Sequence, residues 1–222
     1  MTILHPPYTA WHLSYVAIGA ALAPTFVLWR LGAALGAFFL ALGVACHALD
    51  ELAGRPLSTQ LSRTALVWLA VLGLGGAVAI GIVGAVIVSV WLIPLVAIGV
   101  FLALAYNLEL FGGRFHTDIW FAVAWGGFPA FTGWFVEALD VRAEAVLVAL
   151  ACCLVSVAQR RLSTPARQLR RRTLSVTGRQ TLRDGQVLEL DSERILAPLE
   201  GALSALWLAM VVLAVALVVG RL

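Results

Sequence analysis

The chain has 222 residues, 62% apolar and 12% charged, where globular domains run near 45–50% apolar and about 25% charged. Its mean hydropathy is +0.97. An ordinary soluble domain is excluded, and at roughly 20 residues per bilayer crossing the length leaves no room for a large soluble catalytic domain. All 15 basic residues are Arg against 12 acids, a net charge of +3, so the placement of charge says more about partners than its sum. No nucleic-acid partner is expected. Cys46, Cys152 and Cys153 fall in apolar runs and read as small buried hydrophobes, since two adjacent cysteines in one helix do not form an ordinary bridge. The opening MTILHPPYTAWHL lacks the positive start of a cleaved signal peptide, so the first true span is expected to drive insertion.

A charge at mid-bilayer costs about 2.5–3.5 kcal/mol on insertion scales, so uncharged runs mark spans. Leu13–Trp29 and Leu31–Leu49, parted by Arg30, predict a helical hairpin. Residues 64–108 carry no charge over 45 positions, which predicts helices three and four with a turn at Ser89–Trp91 beside Pro94. Ile119–Val136, Ala145–Gln159 and Gly201–Gly220 supply the fifth, sixth and seventh. Gly73, Ala77, Gly81 and Ala85 form a small-residue strip suited to helix packing, and Trp11, Trp29, Trp91 and Trp134 read as interfacial anchors. The expected fold is an all-α integral membrane protein of about seven helices. Its parts are a six-helix bundle over 1–158, a basic connection over 159–197 and a last helix over 198–222.

With the N-terminus inside, Arg55, Arg63, Arg114 and nine arginines from Arg160 to Arg194 fall on inner segments, and only Arg30, Arg142 and Arg221 on outer ones. Twelve against three predicts N-in and C-out by the positive-inside rule. Within the connection, Ser163-Thr164-Pro165 predicts the start of a basic helix lying on the inner leaflet. Asp184-Gly185 predicts a two-residue hairpin between Gln180–Arg183 and Gln186–Glu189. The arginines suit anionic lipid headgroups, a phosphorylated substrate or a membrane-protein partner.

Polar chemistry gathers at the same face. His47, Asp50 and Glu51 close the second helix at offsets of three and four and share a helical face, a spacing that also serves metal ligands. His5 and His12 precede or open the first helix, and His116 lies with Glu109, Arg114 and Asp118 between helices four and five. A site built from His12, His47, Asp50, Glu51 and His116 is therefore expected to hold a divalent metal. Carboxylates alone favour Mg²⁺, and the imidazoles favour Zn²⁺, Fe or Mn. No Gly-x-Ser-x-Gly, Walker loop or Cys-x-x-Cys pair is present, which removes support for nucleophilic hydrolases, nucleotide motors and zinc knuckles.

Over residues 5–158 the order of features resembles the UbiA-type intramembrane prenyltransferases. The resemblance rests on His5-Pro6, a polar motif closing helix two followed by Arg55-Pro56, Tyr106 ending helix four and Arg114 in the next loop. It extends to the glycine-rich Trp125-Gly126-Gly127-Phe128-Pro129 with Gly133-Trp134. It implies an intramembrane cavity for an isoprenoid or related lipid opening at the cytoplasmic face, with metal-dependent transferase-type chemistry there. His47 stands where that family has Asn and Glu51 at its first Asp, while Arg55 takes the place of its last Asp. The second acidic motif of the family is replaced here by Gln159-Arg160-Arg161-Leu162. The resemblance thus implies catalytic roles for His47, Asp50 and Glu51, and a hold on the substrate by Arg55, Tyr106, Arg114, Arg160 and Arg161. The alternative is a non-enzymatic lipid-binding or membrane-complex assembly subunit.

Overall fold

A computed structural model describes residues 6–54 and 59–222. They form seven helical rods and one small hairpin: α1 (Pro6–Leu22), α2 (Leu28–Gly54), α3 (Arg63–Ile87), α4 (Leu92–Asn107), α5 (Asp118–Ala138), α6 (Ala143–Arg172), β1 (Gly178–Thr181), β2 (Val187–Leu190) and α7 (Ser192–Val219). The rods α2, α3, α5, α6 and α7 are long and apolar enough to cross a bilayer, α4 is a shorter apolar helix, and the chain is a multi-pass membrane protein. The outer rods α3 and α7 bury little of their surface in the protein, as lipid-facing helices do, whereas α1 is buried along nearly its whole length.

Helix α1 is the central post, packed chiefly on α5 and α7. Two glycines let it meet α5. A Cβ at Gly19 would lie 1.9 Å from the Ala130 carbonyl oxygen, and one at Gly133 would lie 2.1 Å from that of Val16. Only hydrogen fits at either position, so the backbones touch and dispersion replaces the absent hydrophobic drive between helices.

The boundaries of the first hairpin differ from the expectation. The chain breaks at Ala23–Val27, and Arg30 sits in the first turn of α2, its N–H bonded to the Val27 carbonyl at 2.8 Å. Pro6 and Pro7 occupy the first turn of α1, where a missing N–H costs nothing, and Pro24 ends the stretch. The buried carboxylate of Glu137 at the end of α5 completes the break. Its Oε2 accepts the Val27 N–H at 2.7 Å, while the Glu137 carbonyl accepts the Thr25 hydroxyl at 2.6 Å and Arg30 Nη1 at 3.2 Å. This acid caps α2 from a neighbouring helix. The turn between α3 and α4 falls at 88–91, where the charge-free run and Pro94 place it.

Two other expectations are corrected. Residue 165 begins no new helix: α6 runs unbroken to Arg172 with Pro165 inside it. The proline frees only the carbonyl of Arg161, which belongs to an exposed residue and can be hydrated. The hairpin has a three-residue turn. Leu182 N–H donates to the Gln186 carbonyl at 2.8 Å and Gly185 N–H to that of Leu182 at 3.0 Å. Gly185 takes φ +86°, the left-handed position that closes this turn. The pairing then runs from Thr181 opposite Val187 to Gly178 opposite Leu190.

Of the four tryptophans read as anchors, Trp29 and Trp91 are exposed at the end opposite the arginines, but Trp11 and Trp134 are 3% exposed core residues. Trp11 Nε1–H donates to the Tyr15 hydroxyl at 2.7 Å, a partner that makes its burial tolerable. All three cysteines are free thiols, and Cys46 and Cys152 are buried.

Candidate functional site

Two rods depart from α-helical winding, and both departures meet a histidine. Residues Phe39–Cys46 of α2 and Val123–Gly127 of α5 are π-helical, a geometry that concentrates at functional sites. The first stretch contains Leu42, whose carbonyl lies 2.7 Å from His47 Nδ1; the second contains Trp125, whose carbonyl lies 2.7 Å from His12 Nδ1. His116 Nδ1 is 3.0 Å from the carbonyl of Tyr106. A carbonyl oxygen only accepts, so each Nδ1 carries a proton. The bond to Trp125 thereby fixes His12 in the tautomer whose unprotonated nitrogen is Nε2. Among the described residues the His12 Nε2 atom, fully enclosed, has no hydrogen-bond partner.

An aromatic cluster holds these rings together. Tyr8 contacts His12 and His47 edge-on, with centroids 4.3 and 5.7 Å apart, and Phe121 lies 6.0 Å from His12. Tyr106 stacks on His116 at 4.4 Å and meets Trp125 at 5.5 Å. Arg160 reaches in from α6, its guanidinium 5.1 Å above the Phe121 ring and its Nε–H bonded to Asp118 Oδ1 at 2.7 Å. Half-buried Asp50 lies within electrostatic range of His116, Arg160 and Arg167. Ring contacts and electrostatic range thus link His12, His47, Asp50, Tyr106, His116 and Arg160 at one end of the bundle.

Other expected members stand apart. Glu51 is fully buried, and its Oε1 accepts the Thr59 N–H at 2.6 Å and the Thr59 hydroxyl at 2.8 Å. Arg114 and Arg161 are exposed, with no carboxylate at ion-pair distance among the described residues. His5 and Arg55 lie outside the described residues. Sequence reasoning missed Tyr8, Phe121 and Trp125, although Tyr8 is four residues before His12 and so shares its helical face. Arg167, grouped with the surface arginines, is exposed, and an offset of seven puts it on the Arg160 face.

The resemblance implies a divalent cation, and the donors fit one poorly. Among the described residues no three His, Cys, Asp or Glu side chains converge to share an ion. One oxygen of Glu51 accepts from Thr59 and one of Asp118 from Arg160, while Asp50 and Glu109, the latter 3.9 Å from His116 Nδ1, are the other acids near the layer. Mg²⁺ needs near-octahedral oxygen coordination.

Against this layer lies an apolar cleft bounded by α2, α3, α4 and α5, with about 1000 Å³ of empty space including its open side. It exists because its walls are small: Ala33, Ala37 and Ala41 on α2, Ala77 and Gly81 on α3, Gly99 on α4. The small-residue strip thus does two jobs. A Cβ at Gly73 would lie 2.8 Å from the Leu40 carbonyl oxygen and one at Gly81 2.4 Å from Val96 Cγ2, which is close packing, while Ala77 lines the cleft. The cleft runs from Trp29 and Arg30 at one end to Leu42 and Trp125 at the other, roughly 18 Å at 1.5 Å per residue along α2. Arg30 turns its guanidinium to the carbonyls of Val136 and Glu137 and lends its stem to the wall. No protein-family model, characterised protein or solved structure matches the chain.

Proposed function

We propose that the protein binds a single-chain lipid, of isoprenoid or related type, with its tail in the cleft and its polar end against the histidine layer. One observation carries the reading: the cleft ends on Leu42 and Trp125, whose carbonyls hold His47 and His12. A tail in the cleft would set its head beside Tyr8, His12, His47, Asp50 and Arg160, in the order of features that a divergent UbiA-like bundle requires. In this reading α1 and α4 cross with the five longer rods. The arginine-rich end is cytoplasmic by the positive-inside rule, so the N-terminus is inside and the C-terminus outside. Transferase-type chemistry would use the imidazoles and Asp50 as acid and base.

The commitment of Glu51 and Asp118 to structural bonds favours a second reading, lipid binding or membrane-complex assembly without turnover. The test is mass spectrometry of lipids extracted from the purified protein, with elemental analysis of the same sample. The proposal expects one dominant single-chain lipid near equimolar amount, lost in Ala37→Trp, which fills the cleft. Ordinary two-chain lipid alone, unchanged in Ala37→Trp, would refute it. The assembly reading expects lipid without bound metal and without conversion of it.

A further inference from the structure

Three residues of α6 share one helical face beside the polar layer: Arg160, Ser163 and Arg167, at offsets of three and seven. Arg160 is anchored on Asp118 and Phe121. Arg167 leans back so that its Nε–H lies 3.4 Å from the Ser163 carbonyl oxygen, and among the described residues no carboxylate stands at ion-pair distance from it. Its neighbours in electrostatic range are Arg160, Arg171, Tyr8 and Tyr106. Arg160, partly buried, and Arg167, exposed, thus stand within electrostatic range of each other, an arrangement that repels itself until an anion enters. Asp50 lies within electrostatic range of both arginines, and Asp118 pairs with Arg160, which leaves Arg167 as the cation here without a paired carboxylate among the described residues. A phosphate monoester carries roughly −1.5 to −2 near neutrality, and the planar guanidinium fork suits its oxygens.

Resting on the lipid-binding reading above, we propose that Arg160 and Arg167, beside the hydroxyls of Tyr8 and Tyr106, seat a phosphate group on the bound lipid directly, without a divalent cation. The guanidinium groups supply the charge that carboxylate-held metal would otherwise bring.

The test uses the full chain in detergent and compares dodecyl phosphate with dodecanol by calorimetry, in EDTA and in millimolar MgCl₂. Dodecyl phosphate is expected to bind at least tenfold tighter than dodecanol, in EDTA as in Mg²⁺. Arg167→Gln should cost about ten- to hundredfold for the phosphate, the worth of a charged hydrogen bond, and little for the alcohol. Arg183→Gln on the exposed hairpin should leave both unchanged. Inorganic phosphate that competes with dodecyl phosphate but not with dodecanol marks a site for the anion itself. Equal affinities for phosphate and alcohol, a requirement for Mg²⁺, or equal losses in Arg167→Gln and Arg183→Gln would overturn the seat while leaving the cleft reading intact. If neither compound binds, both readings fall.

Discussion

Replacing His12 by Asn separates what the imidazole does for the fold from what it offers a ligand. The ring is 1% exposed and its Nδ1–H bonds the Trp125 carbonyl at 2.7 Å. An Asn side chain places its amide N–H where Nδ1–H was and has nothing at the position of Nε2. His12→Ala leaves a ring-sized void and an unanswered buried carbonyl, together about 3–5 kcal/mol. His12→Asn keeps the bond and loses only part of the ring, about 1–2 kcal/mol. In a chain of this size each kcal/mol moves the midpoint by roughly 2–4 °C. The two variants should therefore separate clearly in a thermal melt followed by size-exclusion chromatography. The account adds that His12→Asn folds but loses its co-purified lipid, because Nε2 faces the head. If Asn melts as early as Ala, the Nδ1–H tautomer is wrong; if it keeps both stability and lipid, Nε2 has no part in the site.

Two further outcomes follow from packing and capping. Gly133→Ala forces a methyl to 2.1 Å from the Val16 carbonyl oxygen, and should cost about 1–3 kcal/mol by overpacking, read as a lower melting midpoint. Glu137→Ala orphans the Val27 N–H and should cost about 1.5–3 kcal/mol, the worth of a hydrogen bond to a charged group; Glu137→Gln, which keeps an acceptor, should recover part of that loss in the same melt.

The sequence made some of this legible for physical reasons. Charges are expelled from spans, so the long uncharged run over 64–108 announced two helices and their turn, and His12, His47 and His116 were expected at one end because alternating spans would carry them there. Where the run of apolar residues was broken only by Arg30, charge was the wrong marker: the break lies at Pro24, and Arg30 is absorbed into α2 by the carbonyls of Val136 and Glu137. Glu137 itself gave a readable signal, an acid at the edge of a predicted span, and it turned out to be a cap in trans. The long α6 defeated the proline rule because one lost hydrogen bond at an exposed turn is a small penalty against the packing along its length. The π stretches had no signature at all. They depend on how α2 and α5 lie against their neighbours, so the pairing of His12 and His47 with Trp125 and Leu42 could not be read from spacing. Glu51 shows the reverse: the right residue type, at the right spacing, turned to Thr59.

The central claim is that a lipid tail fills the space between α2, α3, α4 and α5 and stops against the histidine layer. Cryo-electron microscopy of the protein in nanodiscs, enlarged by a bound antibody fragment, tests it most directly. The account predicts one elongated density passing Ala37, Ala41, Gly81 and Gly99 and ending beside Trp125. A cleft closed by side-chain rearrangement, with lipid density confined to the outer surfaces of α3 and α7, would contradict it.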